Sequence, residues 1–260
     1  MRELVAGAMA QARVVYALSL RETRTRFGQH KLGYVWALLE PVFWVATFGT
    51  MFLAIGRENA AGMELVPFLT TGVIPYNLAV GTADRVSVAV DANKSLLFYP
   101  HVQPLDLVFA RVALELATYV IVMIVILGAY SLWTGSFEIE SVLMTSFGLV
   151  LATMFGGALG TVLAGMSVLY PVVQRIKGPV MRPLFWLSGI FFAANMLPSN
   201  VQEWFLYNPI LHCTEMVRDG YFAQYHARGA SVGYVLVWTL ALAFVGLTME
   251  RRVRSRIQLT

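Results

Sequence analysis

Charged residues, cysteine and catalytic motifs are all scarce in this chain of 260 residues. Asp, Glu, Lys and Arg make up only 13% of it, whereas hydrophobic residues make up 58%, so a soluble domain would have too few polar residues to cover its surface. Cys213 stands alone, which excludes an intrachain disulfide and a thiolate metal site. The composition therefore predicts an integral membrane protein, and the long apolar runs described below predict the all-α class.

Motifs for catalysis, metal binding and nucleotide binding are missing as well. The histidines at positions 30, 101, 212 and 226 are far apart, no Gly-x-Ser-x-Gly elbow occurs, and the glycine-rich stretch 156–165 lacks the Lys-Ser/Thr ending of a phosphate loop. We expect no enzyme activity, no metal and no cofactor on this chain. If ATP drives transport, a partner ATPase binds the ATP and Mg²⁺. The net charge of +4 is placed at helix ends and in short loops, which argues against nucleic acid as a partner.

Apolar runs of membrane-spanning length are abundant, and the sequence predicts six spans. They are placed at residues 33–55, 66–90, 105–133, 142–170, 179–194 and 232–249. The fifth is marginal, because its apolar part begins only at Leu184, after the basic loop 171–183. Pro75 is predicted to bend the second span. Gly156 and Gly160, four residues apart in the fourth, predict the close approach of another helix.

The segments outside the spans complete a single predicted membrane domain. Residues 4–20 predict a helix that lies in the membrane interface or, alternatively, a solvated cytoplasmic helix. The broken segment 195–220 predicts a re-entrant helical hairpin on the periplasmic side with a short return helix. Most Lys and Arg fall on one side of the alternating loops, so both termini are predicted to be cytoplasmic. The domain divides into an interfacial gate helix (1–32), a six-span bundle (33–249) and a basic cytoplasmic tail (250–260).

Charged residues inside predicted spans form one set of candidate functional residues, because a charge in lipid costs at least ~2.5 kcal/mol. They are Glu40, Asp84, Arg85, Arg111 and Glu115, all toward the cytoplasmic half of their spans. Arg111 and Glu115 have the spacing that puts both on one helical face. Two interpretations stay open: a charge network that locks and releases a cytoplasmic gate, or arginines that extend to the lipid headgroups.

Aromatic residues along the first and fifth predicted spans form a second set. They are Trp36, Phe43, Trp44 and Phe48 in the first span and Phe185, Trp186, Phe191 and Phe192 in the fifth. Sugar rings present C–H faces that stack on aromatic planes, so a polysaccharide can slide along such a surface. All of these residues except Trp36 and Phe192 are candidates for the path of a glycan. The alternative is an interfacial belt with lipid-facing packing.

Five stretches, in the same order along the chain, resemble the permease subunits of bacterial ABC exporters of capsular polysaccharide, which are ABC-2 type transporters. They are RTRFGQHKLGYVWALLEP (24–41), GVIPYNL (72–78), YPHVQPLDLVFAR (99–111), YPVVQRIKGPVMRPLFWLSGIFF (170–192) and NPILHCTEMVRDGYF (208–222). The resemblance covers nearly the whole chain. It implies a homodimer in the bacterial inner membrane with two cytoplasmic ATPase subunits. It also implies a lipid-linked acidic polysaccharide as cargo, a periplasmic co-polymerase and an outer-membrane export channel.

The same resemblance assigns tasks to two segments. The 93–102 loop would sit in a cleft of the ATPase and couple it to the membrane domain, although an interfacial helix lying on lipid is the alternative. Its candidate contacts are Asn93, Lys94, Leu96, Leu97, Phe98, Tyr99 and His101, in which a cation accompanies apolar anchors. The basic segment before the first span would be a gate that attracts phosphate or carboxylate groups of the glycan through Arg21, Arg24, Arg26 and Lys31.

Other transport functions stay open at this point. The nearest alternative is the export of another lipid-linked glycan, such as O-antigen or teichoic acid. An ABC-2 drug exporter and an ion-coupled carrier, in which the membrane charges would relay protons, are more distant.

Overall fold

The computed structural model describes residues 2–27, 32–57, 59–60, 62–99, 102–136 and 138–257. In these ranges the chain is mainly α-helical, as predicted, with one two-stranded antiparallel hairpin, β1 (Asn59–Ala60) and β2 (Met63–Glu64). The helices are α1 (Arg2–Phe27), α2 (Leu32–Ala54), α3 (Leu65–Ser87), α4 (Ala89–Ala92), α5 (Pro104–Thr134), α6 (Val142–Leu169), α7 (Val173–Leu187), α8 (Ser199–Phe205), α9 (Pro209–Tyr221) and α10 (Val232–Ile257). Short 3-10 turns cover Lys94–Phe98 and Ala194–Met196.

Four helices in the described residues are long and apolar enough to cross a membrane, by length and composition. They are α3, α5, α6 and, over Val232–Arg252, α10. In α2 the segment Leu39–Ala54 is a shorter apolar helix. These helices match the predicted spans closely, and α3 runs unbroken through Pro75. The total of six spans stays a prediction.

The local structure predicted for the fifth span was wrong. The basic loop 171–183 is largely helical, because α7 begins at Val173, and α7 ends at Leu187 in the middle of the predicted span. Pro179 and Pro183 stand inside this helix. Each proline removes one backbone donor but keeps a helical φ, so the surrounding turns persist. After Leu187 the chain turns at Gly189, whose φ is +75°. Residues 188–194, called the strap below, then form a connection that contains no α-helix and ends on the first residue of the second 3-10 turn.

The centre of the bundle is the pair α3 and α6, which pack along most of their length. A Cβ atom at Gly156 would lie 2.3 Å from the carbonyl oxygen of Ala79, and one at Gly160 would lie 2.6 Å from the Cβ of Val86. The predicted close helix approach at these glycines is therefore confirmed. Most residues of α3 are buried, and the main hydrophobic core surrounds this helix pair.

The segment after the strap contains the two short helices α8 and α9. Almost every residue of α9 is buried, because α9 packs against α3, α6 and α10. The depth of this segment in a membrane stays a prediction.

A second, smaller core joins α1 to the start of α5. Leu18, Ala89, Leu107 and Ala110 are its buried residues, and partly buried side chains from α1 and the 93–102 loop pack on it. The N-terminal helix is longer than the predicted 4–20, and it docks on α5 through this core. That this helix lies in the membrane interface stays a prediction.

Candidate functional site

Five of the six candidate path residues meet in one aromatic cluster between α2 and the chain around the end of α7. Trp44 stacks on Phe48 with ring centroids 5.4 Å apart, and Phe48 meets Phe191 edge to face at 4.6 Å. Phe185 lies 5.7 Å from Phe48 and 5.4 Å from Phe191, and Trp186 lies 5.1 Å from Phe191. These spacings are those of favourable aromatic pairs. Two distant stretches of the sequence thus build one continuous aromatic surface.

The cluster has a buried base and an exposed rim. Phe48 is 8% exposed, whereas Trp44 and Trp186 are 43% and 61% exposed. The rim therefore presents broad aromatic faces to whatever adjoins the bundle on this side. Phe43, the sixth candidate, is 57% exposed. It is not in any of the described ring pairs of the cluster.

Below the cluster, a cavity of about 200 Å³ lies between α3, α6 and α7. Tyr76 lines it and also contacts Phe185, with ring centroids 5.2 Å apart. At its other side, the Nζ of Lys177 lies 2.6 Å from the Oδ1 of Asp84 and donates to the hydroxyl of Ser87 at 2.8 Å. Gln174 donates to the carbonyl oxygen of Ser87 at 3.2 Å. The start of α7 is thereby tied to the end of α3.

The remaining candidate membrane charges link three helices. Glu115, whose side chain is 2% exposed, pairs with the Nε of Arg85 at 3.1 Å. Arg111 pairs with Glu22 of α1 at 3.0 Å and donates to the carbonyl oxygen of Arg85 at 2.5 Å. Asp84 and Arg85 thus face different partners, and α5 connects to both α1 and α3. Glu40 lies on an exposed position of α2.

The described residues of the 93–102 loop, 93–99 and 102, have an inner and an outer face. Asn93 is buried, donates to the carbonyl oxygen of Ala89 at 3.0 Å and accepts from Arg21 at 2.8 Å. Leu96 and Leu97 pack on the small core. On the outer face, Phe98 is 86% exposed and Tyr99 is 64% exposed. Lys94 is also on this face, 3.8 Å from Asp91.

The candidate gate residues are described only in part. Arg21 reaches the loop through its bond to Asn93, and Arg24 is exposed. The side chain of Arg26, and the whole of Lys31 and His101, lie outside the described residues.

A buried ion pair in α9 was missed from the sequence. The side chains of Glu215 and Arg218 are 1% and 0% exposed, and the Oε1 of Glu215 lies 2.7 Å from the Nη1 of Arg218. The signal was available, since oppositely charged residues three apart in a helix are neighbours. From the sequence, residues 195–220 were predicted only as a broken, re-entrant segment.

Histidine has a structural use in the same helix. The ring of His212 is buried. Its Nε2 lies 2.7 Å from the carbonyl oxygen of Leu206, and its Nδ1 accepts from the backbone N–H of Ser231 at 3.0 Å. Among the described residues, no group of His, Cys, Asp or Glu could hold a metal ion.

The chain is an apolar helical bundle with an aromatic surface on one side and a partly exposed loop at one end, an architecture that suits a membrane permease. The chain belongs to the ABC-2 type transporter family, whose model matches residues 13–222. It is a transport subunit and not an enzyme.

Individual relatives extend this likeness over nearly the full length. The chain is 31% identical to the polysialic acid transport protein KpsM of Escherichia coli, over 98% of each chain. It is 32% identical to the capsule polysaccharide export inner-membrane protein BexB of Haemophilus influenzae, over 95% of this chain and 94% of the relative. The O-antigen export system permease protein RfbA of Klebsiella pneumoniae is 20% identical over 94% of this chain.

Proposed function

We propose that the chain is the inner-membrane permease subunit of a bacterial exporter of capsular polysaccharide. This proposal rests on the likeness to relatives named for polysialic acid transport and for capsule polysaccharide export. The identity to both is about the same and covers 94% or more of their length. The family membership supports an ABC ATPase as the partner that binds ATP and Mg²⁺. The cargo is a lipid-linked acidic polysaccharide.

The assembly that fits this task is a homodimer with two ATPase subunits. Both termini and the 93–102 loop face the cytoplasm, and the exposed aromatic pair of the loop enters a cleft of the ATPase. The helices α2 and α7 complete six membrane crossings, and the strap with α8 and α9 forms the re-entrant segment on the periplasmic side. A periplasmic co-polymerase and an outer-membrane channel continue the route.

The aromatic cluster is the candidate path of the glycan within each subunit. Its rings are close enough for successive sugars to pass from one face to the next, and none of them carries a charge that would hold the polymer at one place. The supporting observation is that Trp44, Phe48, Phe185, Trp186 and Phe191 come together although they are far apart in the sequence.

Replacing rim and base residues of the cluster tests both parts of the proposal. In a strain that lacks this gene, polymer should build up in the cytoplasm, and the parental gene should restore capsule at the surface. The variants Trp44→Ala, Phe48→Ala and Phe191→Ala should restore much less surface capsule at equal abundance. Phe244→Ala, which truncates an exposed phenylalanine of α10 that is not a path candidate, is the matched control.

The two parts can fail separately. Normal surface capsule in the strain without the gene would contradict capsule export itself. Full restoration by all three cluster variants would leave the export function standing and contradict the path.

Export of O-antigen is the second candidate, because the chain also resembles an O-antigen permease. The lower identity of 20% favours capsule over O-antigen. Loss of O-antigen, with capsule unaffected, in the strain without the gene would reverse this order.

A further inference from the structure

The strap, residues 188–194, decides where one ring of the aromatic cluster lies. Its residues point into two environments: Ile190 and Ala193 are completely buried at 0% exposure, whereas Phe191 is only partly buried. The ring of Phe191 contacts both Phe48 and Trp186. Residues 188–193 are not helical, so hydrogen bonds from other parts of the chain are needed to fix the shape of the strap.

Arg218 of α9 supplies two of the bonds that fix the strap. Its Nη2 donates to the carbonyl oxygen of Gly189 at 2.7 Å, and its Nη1 donates to that of Phe192 at 3.2 Å. These two carbonyl groups precede and follow the pair Ile190 and Phe191 in the chain. A planar guanidinium with five fixed donors can hold both at once, which a lysine ammonium on a flexible stem does poorly.

Glu215 completes the arrangement. Its Oε1 accepts from Arg218 and, at 3.3 Å, from the backbone N–H of Ala194, and its Oε2 accepts from the hydroxyl of Tyr225. The carboxylate therefore neutralises the buried guanidinium and also holds the end of the strap. Buried ion pairs are often no more stabilising than a well-packed apolar pair. The directional bonds to the strap are what an apolar pair could not supply.

Close packing on both sides leaves the strap little room to move. A Cβ at Gly72 of α3 would lie 2.9 Å from the Cα of Ile190. The guanidinium carbon of Arg218 lies 4.2 Å from the centroid of the Phe68 ring, a cation–π contact. Asn208 donates to the hydroxyl of Ser188 at 3.0 Å, which fixes the start of the strap. Helices α3 and α9 thus hold the strap between them.

We infer that Arg218, supported by Glu215, is a positioning residue for the glycan path. It fixes the strap and thereby the ring of Phe191 in the aromatic cluster. This inference rests on the proposed function, because only there does the cluster contact cargo. The position of Phe191 can nevertheless be measured without any cargo.

Cross-linking between positions 48 and 191 provides that measurement. Phe48→Cys and Phe191→Cys are introduced together into the full chain, expressed with its ATPase in membranes, and treated with a short bifunctional thiol reagent. The ring centroids of the two phenylalanines are 4.6 Å apart, so the double-cysteine chain with Arg218 unchanged should cross-link efficiently. The native Cys213 is completely buried and can stay.

Two substitutions of Arg218 are then compared in this double-cysteine background. Arg218→Met removes all donors, and Arg218→Lys keeps the charge beside Glu215 but cannot hold both strap carbonyls. Both should lower the cross-linking yield by about fivefold or more, because the strap loses the two hydrogen bonds that one rigid guanidinium donates to it. Thr153→Val is the control, since the buried hydroxyl of Thr153 donates to Leu149 within α6. It should leave the yield unchanged.

Arg218→Lys separates positioning from stability. The abundance of this variant and its co-purification with the ATPase should stay near the parental level, while the cross-linking yield falls. In a chain that carries Arg218→Lys but keeps Phe48 and Phe191, capsule export should fall as well. Parental cross-linking in Arg218→Lys and in Arg218→Met would overturn the inference, whatever happens to export. Reduced cross-linking with normal export would support the positioning of Phe191 and would instead overturn the use of the cluster as the path.

Discussion

At the scale of single residues, two neighbouring aromatic side chains set the outer face of the 93–102 loop apart. Phe98 and Tyr99 are exposed to 86% and 64%, beyond the side chains that pack on the small core. The double variant Phe98→Asp with Tyr99→Asp should lose association with the ATPase, because removing aromatic anchors from the centre of an interface costs about 2 kcal/mol or more. Co-purification of the ATPase from solubilised membranes measures it.

The control makes the same chemical change at the other end of α5. Trp133 is 89% exposed there, so Trp133→Asp should leave co-purification of the ATPase intact. Unchanged co-purification with the double loop variant would contradict the assignment of this loop.

Single residues also mark how far the sequence predicts the candidate site. Trp44, Phe48 and Phe52 follow each other at four-residue spacing and so share one face of α2, and all three have described contacts in or beside the cluster. Phe43 lies about 100° away around the helix, so it points elsewhere. Helical periodicity alone could have made this distinction. The bonds of Arg218 could not be foreseen, since their acceptors are backbone carbonyls 26 and 29 residues away.

At the scale of elements, the contact between α3 and α6 depends on glycine. The variant Gly156→Ala places a methyl group against the carbonyl oxygen of Ala79, at 2.3 Å before any shift. Overpacking of this kind costs about 1–3 kcal/mol, so the purified chain should lose its monodisperse elution at a lower temperature than the parent. Size-exclusion chromatography after heating measures this.

A second glycine in a membrane helix serves as the control. A Cβ at Gly128 of α5 would have no atom within 4 Å among the described residues, so Gly128→Ala should be tolerated. Equal thermal stability of the two variants would contradict the close packing of α6 on α3.

The elements differ in how well the sequence predicts them. The helices α5 and α6 begin and end within one residue of the predicted 105–133 and 142–170, because polar residues bound both apolar runs. The start of α7 was misjudged because the stretch 171–183 is short and basic and was therefore assigned to a loop. The small core joining α1 to α5 was not predicted at all, since it depends on contacts between residues far apart in the sequence.

At the scale of the whole molecule, the predicted orientation separates two ends that can be labelled independently. Ser95 lies in the 93–102 loop and Gln224 in the turn after α9, and both are exposed. In right-side-out vesicles, a membrane-impermeant thiol reagent should label Gln224→Cys and spare Ser95→Cys, because only the first faces the outside under the positive-inside rule. Inverted vesicles should give the opposite result.

The parent chain is the control for this experiment. Its Cys213 is completely buried, so it should take up no label in either kind of vesicle. Labelling of Ser95→Cys in right-side-out vesicles would contradict the orientation.

The molecule has two packed units, here called the frame and the rocker, because its small core is separate from its main core. The frame is the α3 and α6 pair, closed by glycines that leave no room for sliding. The rocker is α1 with the 93–102 loop and the start of α5, which share their own core and the bond between Arg21 and Asn93. Because these parts share one core, we expect a displacement of the loop to move α1 with it. The bonds of Lys177 and Gln174 to Ser87 join α7, the helix that bears Phe185 and Trp186, to the α3 end of the frame.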